Sequence, residues 1–184
     1  VAIYAGSTDL FANTIYDISN ASTSVTAATP GTATGFFMRQ PGGTINIYNN
    51  MVSLGNGQTG NTSFNGIWQQ NSAVAYTLNA SYNTINIEGT VAAGAQPSFG
   101  LNRGSYSATQ VTVAVNPKNN IFNNTRSGGT GKHYAIANNY LAAATATGWG
   151  TGASNNNVLN ANAATVGYWG ADQTFAGWQA ASAG

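Results

Sequence analysis

The stretch NIYNNMVSLGN, residues 46–56, joins two short extended segments through a pair of asparagines. Residues 45–48 alternate apolar and polar side chains, as in a strand with one buried face, and residues 51–54 resume that pattern. Asparagine is depleted from strand interiors, so Asn49 and Asn50 need a structural reason. The rest of the chain supplies one, because the same arrangement recurs.

An asparagine follows a short strand-like segment five times along the chain. These residues are Asn13, Asn50, Asn83, Asn120 and Asn157, spaced by 37, 33, 37 and 37 positions. A second row, with reference positions Gly35, Gly66, Gly100, Ala135 and Gly167, is spaced by 31, 34, 35 and 32 positions. Two rows with a common period near 35 indicate an internal structural repeat.

The repeated segments have the character of strands. They are short, rich in Thr, Val, Ile and Tyr, and interrupted by Gly and Asn. Helical repeats of this period need longer segments with apolar residues at helical spacing, and a β-propeller blade would hold four strands and an aromatic-acidic signature that we do not find. We therefore predict an all-β protein, a parallel β-helix (solenoid) of about five coils that forms a single domain over residues 1–184.

The repeated asparagines are predicted to form a ladder at one corner of the solenoid. Equivalent residues of successive coils lie about 4.8 Å apart, and an amide side chain can donate to one neighbour and accept from the other. Asparagine also tolerates the left-handed backbone conformation that a tight corner requires. The alternative is that the five residues are surface-turn asparagines that do not contact one another.

The alternation also predicts which side chains face the interior. The expected core residues are Ile45, Ile47, Val52, Leu54, Ile85, Ile87, Val111, Val113, Val115, Ile121, Val158 and Leu159, and a second interior ladder consists of Phe37, Ile67, Leu101, Ile136 and Tyr168.

Charged side chains are scarce in this chain. Five basic and four acidic residues make up 5% of it and give a net charge of +1, against roughly 25% charged residues in an ordinary soluble domain. This composition gives no basic surface for nucleic acid, and no apolar segment is long enough for membrane insertion. Cysteine is absent, which excludes disulfides and thiolate metal sites. A polar but nearly uncharged surface favours association between copies.

Several segments resemble bacterial secreted right-handed parallel β-helix repeat proteins, notably surface proteins of Bacteroidota. They are INIYNNMVSLG (45–55), SYNTINIEG (81–89), NNIFNNTRSGGTGKHYAI (119–136) and the tail VGYWGADQTFAGWQAASAG (166–184), which is similar to the closing stretch of such proteins. The resemblance covers residues 44–184 and implies a right-handed solenoid located at the cell surface or beyond. It implies no activity, because this fold serves enzymes, adhesins and structural proteins alike.

Catalysis is not expected from the residues available. The acidic residues are Asp9, Asp17, Glu88 and Asp172. Polysaccharide hydrolases need paired carboxylates, and lyases of this fold need a base together with calcium held by several carboxylates. Four scattered acids fit neither requirement, so we predict no catalytic residue, metal or cofactor.

Two sets of residues are candidates for binding or modification. Arg39 and Arg103 hold similar places in the second row and, with Trp68, form a candidate contact surface for glycans; alternatively, the arginines bind carbonyl groups at turns and the aromatic rings pack as ladders. The Asn-x-Ser/Thr sequences at Asn20, Asn61, Asn79 and Asn123 are candidate glycosylation sites. His133 lacks partners at metal-ligand spacing and is predicted to be structural.

The two ends of the column determine the predicted function. Open strand edges are normally covered by caps, charges or other strands, and neither terminus shows the pattern of a capping helix. We predict an extracellular structural protein whose subunits stack head to tail into a filament. Residues 1–12 would pair with a neighbouring subunit, and residues 166–184 would form a closing coil and tail. The alternative function is a carbohydrate-binding or adhesin module of a larger surface protein, and a polysaccharide lyase or hydrolase is less favoured.

Overall fold

The structure, a computed structural model, describes residues 1–4, 6–20, 32–39, 42–70, 74–104, 114–138, 140, 149 and 152–182. The strands in chain order are β1 (Ala2–Ile3), β2 (Thr8–Phe11), β3 (Thr14–Ile18), β4 (Thr32–Met38), β5 (Gly43–Tyr48), β6 (Met51–Leu54), β7 (Ser63–Gln69), β8 (Tyr76–Ser81), β9 (Thr84–Ile87), β10 (Thr90–Val91), β11 (Ser98–Arg103), β12 (Ala114–Lys118), β13 (Ile121–Asn124), β14 (Ser127–Gly128), β15 (His133–Asn138), β16 (Val158–Ala161), β17 (Gly167–Trp169) and β18 (Asp172–Gln173). Helix α1 (Phe175–Ser182) follows β18.

These strands form the predicted parallel β-solenoid, with about four coils and a period near 35 residues. Face A contains β1, β4, β7, β11, β15, β17 and β18 in spatial order, face B contains β12, β8, β5 and β2, and face C contains β16, β13, β9, β6 and β3. Each coil runs along face B, turns a two-residue corner into face C, and then crosses to face A. Strand neighbours are parallel except β17 and β18, and β10 and β14 form a separate two-stranded sheet.

Columns of apolar side chains fill the interior, as the alternation predicts. The buried columns are Ile45, Leu78 and Val115 on face B, Val52, Ile85 and Phe122 on face C, and Phe36, Ile67, Leu101 and Ile136 on face A. The predicted core residues Ile47, Leu54 and Ile87 are also buried, and Leu159 packs against the core from a half-buried position. Val111 and Val113 lie outside the described residues.

Four core predictions are wrong by one position. Ile121 and Val158 are 44% and 56% exposed, because the corner asparagine before each faces inward and the following side chain must face outward. Phe37 and Tyr168 lie in the column next to the buried one on face A, since the register aligns Phe36 with Ile67.

A column of glycines in the strands of face A lets this face pack closely against face C. It contains Gly35, Gly66 and Gly100. A Cβ atom on Gly66 would lie 2.2 Å from Cγ2 of Ile85 and 2.6 Å from the carbonyl oxygen of Gly100. These three glycines of the second sequence row therefore mark close packing between faces in the middle of strands.

The first coil contains the segment that was predicted to reach a neighbour. Strand β1 pairs with β4 and strand β2 pairs with β5 of the same chain. The amino group of Val1 donates to the carbonyl oxygen of Gly35 over 2.9 Å. Strands β1 and β2 thus belong to the solenoid itself, with Ile3 buried in its core and Leu10 packed against it.

The C-terminal end carries a helix that the sequence analysis did not predict. The hydroxyl group of Thr174 accepts from the N–H of Gly177 at the start of α1, as an N-cap does. Trp178 of this helix is 2% exposed and packs edge-on against Trp149 and Trp169, with ring centroids 5.4 and 5.6 Å away. Of the predicted closing tail (166–184), residues 166–182 are described, and they close face A with an antiparallel strand and this helix.

Candidate functional site

The corner between faces B and C holds the predicted asparagine ladder. At each step the backbone N–H and the Nδ2 of one asparagine both donate to Oδ1 of the next, over 2.9–3.1 Å, in the order Asn13, Asn50, Asn83, Asn120 and Asn157. The three inner asparagines are each 1% exposed. Nδ2 of Asn83 also donates to the carbonyl oxygen of Ile47 in the preceding coil. The ladder prediction is confirmed, and the alternative of isolated surface asparagines is wrong.

The left-handed residue of each corner precedes the ladder asparagine. Positive φ angles of 54–57° occur at Ala12, Asn49, Tyr82, Asn119 and Asn156. The ladder asparagines do not need this conformation, because each already continues the parallel backbone pairing, as when the carbonyl oxygen of Asn50 accepts from the N–H of Thr84. The prediction that the ladder asparagines themselves adopt it is therefore wrong by one position.

Two further asparagine ladders run along the outer surfaces of faces B and C. On face B, Nδ2 donates to Oδ1 from Asn116 to Asn79 and from Asn79 to Asn46, over 2.9 and 2.8 Å. On face C, the same bonds run from Asn160 to Asn123 to Asn86, over 2.6 Å each. Their spacings of 33 and 37 residues match those of the corner ladder, so the sequence contained the signal for them.

Each outer ladder ends on a carboxylate. Asn46 donates to Asp9 over 2.7 Å on face B, and Asn86 donates to Glu88 over 2.5 Å on face C. When all the amides of a row donate in one direction, the N–H group of the last amide has no amide left to donate to. An ionised carboxylate is a strong acceptor for that N–H group. Half of the acidic residues of the chain are thereby accounted for as ladder ends.

The other two acidic residues also have structural positions. Asp17 has a φ of +62° and lies where the register of β3 shifts between Ile15 and Ile18. Asp172 accepts from Nζ of Lys132 over 2.8 Å and from the hydroxyl group of Tyr134 over 2.5 Å. Lys132, with a further contribution from Tyr134, lowers the pKa of Asp172.

The arginines predicted to contact glycans occupy different environments. In the strand register of face A, Arg103 aligns with Gln69, and Gln69 aligns with Met38. Arg39 therefore lies one position beyond the residue that aligns with Arg103, so the two arginines are not equivalent. Arg39 is exposed, whereas Arg103 is 3% exposed and donates from Nη1 to Oδ1 of Asn138 over 2.7 Å. Burial lowers the pKa of Arg103 to about 10.

Trp68, the aromatic member of the predicted glycan surface, is also buried. Its Nε1 donates to the carbonyl oxygen of Gly104 over 3.0 Å, and its ring packs 4.9 Å from that of Phe37. The predicted surface of two arginines and a tryptophan is therefore wrong as a shared exposed site, because Trp68 and Arg103 are only 8% and 3% exposed. Glycan contact stays a prediction for Arg39.

Arg126, between β13 and β14, is a buried arginine that the sequence analysis did not identify. Arg126 has no exposed surface, and its guanidinium carbon lies 4.4 Å from the centroid of the Phe64 ring. Nη2 of Arg126 donates to the carbonyl oxygen of Gly60 over 2.8 Å. Burial lowers the pKa of Arg126 to about 10. Nothing in its sequence surroundings distinguishes it from a surface arginine.

The side chains of Ser98 and His133 lie within hydrogen-bonding distance, as a nucleophile and its general base would, but the hydroxyl group of Ser98 is inaccessible to a substrate. Oγ of Ser98 lies 2.9 Å from Nδ1 of His133, and it also bonds the side-chain amide of Asn124. Ser98 has no exposed surface, so a substrate atom could not reach its hydroxyl group. The pair cross-links two strands of face A.

The free energy of unfolding should fall as the pH drops below about 6.5, where a free histidine titrates. Burial, with a contribution from Arg126, lowers the pKa of His133 although the Gly128 backbone opposes this. A lowered pKa means that folding favours the neutral imidazole, so its contribution is complete above pH about 6.5 and declines as protons bind below it. Urea unfolding at pH 7.5, 6 and 5 should show this decline, and the decline should be smaller in His133→Gln. Equal slopes in both proteins would contradict the assignment.

The two ends of the solenoid differ. At the N-terminal end, β1, β2 and β3 each have a strand neighbour on one side only, among the described residues. At the C-terminal end, α1 and β18 close face A, and a groove lies between α1 and the end of the corner ladder. Asn155, Asn157 and Leu159 line it on one side, and Phe175 and Gln179 on the other.

Neither a metal site nor a membrane-spanning helix occurs in the described ranges. No group of three or more His, Asp or Glu side chains is placed there to bind a metal ion, and no helix there has the length and hydropathy to cross a membrane. No family model, curated protein or solved structure matches this chain. The resemblance is therefore supported for the β-solenoid fold only.

The candidate glycosylation sites have distinct surroundings. Nδ2 of Asn20 donates to the carbonyl oxygen of Thr32 over 2.8 Å, and Oδ1 of Asn61 accepts from the N–H of Gln96 over 3.0 Å. Asn79 and Asn123 are inner members of the outer ladders, so their Nδ2 atoms already donate to the neighbouring coil. Glycosylation stays a prediction at all four sites.

Proposed function

We propose that this protein is a non-catalytic structural component, located outside the cell, whose solenoid subunits associate end to end into a fibre or matrix. The observation that carries the proposal is the open first coil. Its three strands lack a neighbour on their outer side within the described residues, and unpaired strand edges are templates for pairing with another chain.

Apolar groups accompany this open edge. Leu10 and Ile15 are only half-buried at the end of the core. Tyr4, Phe11 and Tyr16 are 58%, 55% and 69% exposed. The Phe11 ring stacks on that of Tyr48 at 5.2 Å, and no described ring covers its opposite face. Contact with another subunit would remove these side chains from water, which favours association.

Two carboxylates on the first coil oppose that association. Asp9 ends the outer ladder of face B, and Asp17 lies at the irregularity of β3. Charges and bulges on edge strands protect proteins from uncontrolled pairing. The balance between this repulsion and apolar burial is expected to set the protein concentration at which subunits associate.

Sedimentation velocity and electron microscopy across a dilution series test the proposal. Particle size should increase with protein concentration, and Asp9→Asn should lower the concentration needed several-fold, because the charge is lost while an amide oxygen still accepts from Asn46. Glu88→Gln is the matched control: it also changes the carboxylate at the end of an outer ladder, but in the third coil, and should leave association unchanged. Single solenoids at every concentration, in Asp9→Asn as well, would overturn the proposal.

A further inference from the structure

The corner ladder has a direction, and its two ends are chemically different. Every step donates towards the C-terminal coil, so the last bond runs from Asn120 to Oδ1 of Asn157. No described group donates to Oδ1 of Asn13 at the other end. The backbone N–H of Asn157 has no acceptor within the described residues, and its Nδ2 reaches only Pro117 and, at 3.4 Å, Ser154. Within the described residues, Oδ1 of Asn13 thus lacks a donor at one end, and the backbone N–H of Asn157 lacks an acceptor at the other.

The groove beside Asn157 leaves this donor end accessible. Asn155 and Asn156 are exposed, and Val158 is 56% exposed at the start of β16. Strand β16 is the last strand of face C, with β13 as its neighbour on the inner side. Across the groove, Phe175 of α1 is 48% exposed. The groove therefore combines a strand edge that has no partner among the described residues, a ladder donor and an apolar wall.

We infer that this groove binds the first coil of a second copy, with β3 of the incoming subunit pairing in parallel with β16. This inference rests on the proposed function and specifies its joint. Asn157 would donate to Oδ1 of the incoming Asn13, which continues the ladder in the same direction. Pairing of two N-terminal ends would instead bring together two ladder ends that both lack a donor, so the ladder favours head-to-tail contact.

Apolar side chains also match across this joint. Leu159 and Phe175 border the groove, and Ile15 and Leu10 lie half-buried at the end of the incoming core. Because α1 and the antiparallel β18 close face A, the joint runs through face C with α1 as its side wall. A register that continues the column of Thr14, Met51, Thr84, Ile121 and Val158 places Thr14 of the second copy next to Val158.

Cysteine cross-linking tests the joint in a chain that has no cysteine of its own. Neighbouring parallel strands place equivalent Cα atoms about 4.8 Å apart, within the range that a disulfide spans. Thr14→Cys and Val158→Cys, mixed and oxidised under associating conditions, should give a mixed dimer, while each variant alone should give none. Thr84→Cys, in the same column but paired on both sides, is the control and should give no dimer with either variant.

The outcomes separate this inference from the proposed function. Association by sedimentation with dimers of Thr14→Cys alone would overturn the head-to-tail joint and assign pairing between N-terminal ends. Association without a cross-link between positions 14 and 158 would also overturn the joint, provided that both thiols react with a maleimide reagent. Absence of association under every condition would overturn the proposed function, and this inference with it.

Discussion

Replacing Asn83 by alanine should lower the free energy of unfolding by about 3–6 kcal/mol, since buried polar groups that lose their partners each cost about 1–3 kcal/mol. The change removes the acceptor of two bonds from Asn50 and the donors to Asn120 and to the carbonyl oxygen of Ile47. These groups lie at a corner where Asn50, Asn83 and Asn120 are each 1% exposed, so water cannot replace the lost bonds. Urea unfolding followed by circular dichroism measures the effect.

Asn13→Ala is the matched control for this variant. Asn13 is half-buried in the first coil, and its backbone N–H would still donate to Asn50 after the change. Only the bonds from its Nδ2 to Asn50 and to the carbonyl oxygen of Phe11 are lost, which predicts a loss of about 1 kcal/mol. Equal losses in the two variants would show that the ladder contributes no more in the interior than at its end.

Replacing Gly66 by alanine should destabilise the protein by about 3 kcal/mol or more, the upper range for an overpacked core. The new Cβ would lie 2.2 Å from Cγ2 of Ile85 and 2.6 Å from the carbonyl oxygen of Gly100. Ile85 has no exposed surface, and the Gly100 carbonyl belongs to the neighbouring strand of face A. Relief therefore requires faces A and C to separate. The midpoint of urea or thermal unfolding gives the size of this effect.

Gly60→Ala provides the comparison on the same coil. A Cβ there would meet nothing closer than Oγ1 of Thr62 at 3.7 Å, and the carbonyl oxygen that accepts from Arg126 is kept. The expected change is within about 0.5 kcal/mol. A loss for Gly60→Ala as large as that for Gly66→Ala would mean that close contact between faces is not what sets the requirement for glycine at position 66.

The sequence predicts the solenoid and its corner ladder because stacking makes equivalent residues recur at a nearly constant spacing. The same spacing relates Asn79 to Asn116 and Asn86 to Asn123, so the outer ladders were predictable too. It was harder to predict which alternate residues of each strand face the interior. One position decides between Phe36 and Phe37, and between Ile121 and Phe122, and all four are large and apolar.

Other features could not be read from local sequence. Helix α1 has eight residues, includes Gly177 and lacks an amphipathic pattern, and it is held by the Thr174 cap and by the contacts of Trp178. Arg126 is buried against the carbonyl group of Gly60, which is 66 positions away and therefore off the period. Asn138, the partner of Arg103, lies one period away, but this spacing does not indicate that the pair is buried.

The constant step of the ladders makes the length of this protein an adjustable quantity. From Asn83 to Asn120 and from Asn120 to Asn157 the chain advances by 37 residues, and the outer ladder of face C advances by the same amount. Each coil therefore satisfies its neighbours through bonds that the next coil repeats. Duplication or deletion of one 37-residue unit would change the height by about 4.8 Å and leave both ends as they are. Related chains could thus differ in the number of coils while keeping the same corner, the same open edge and the same closing helix.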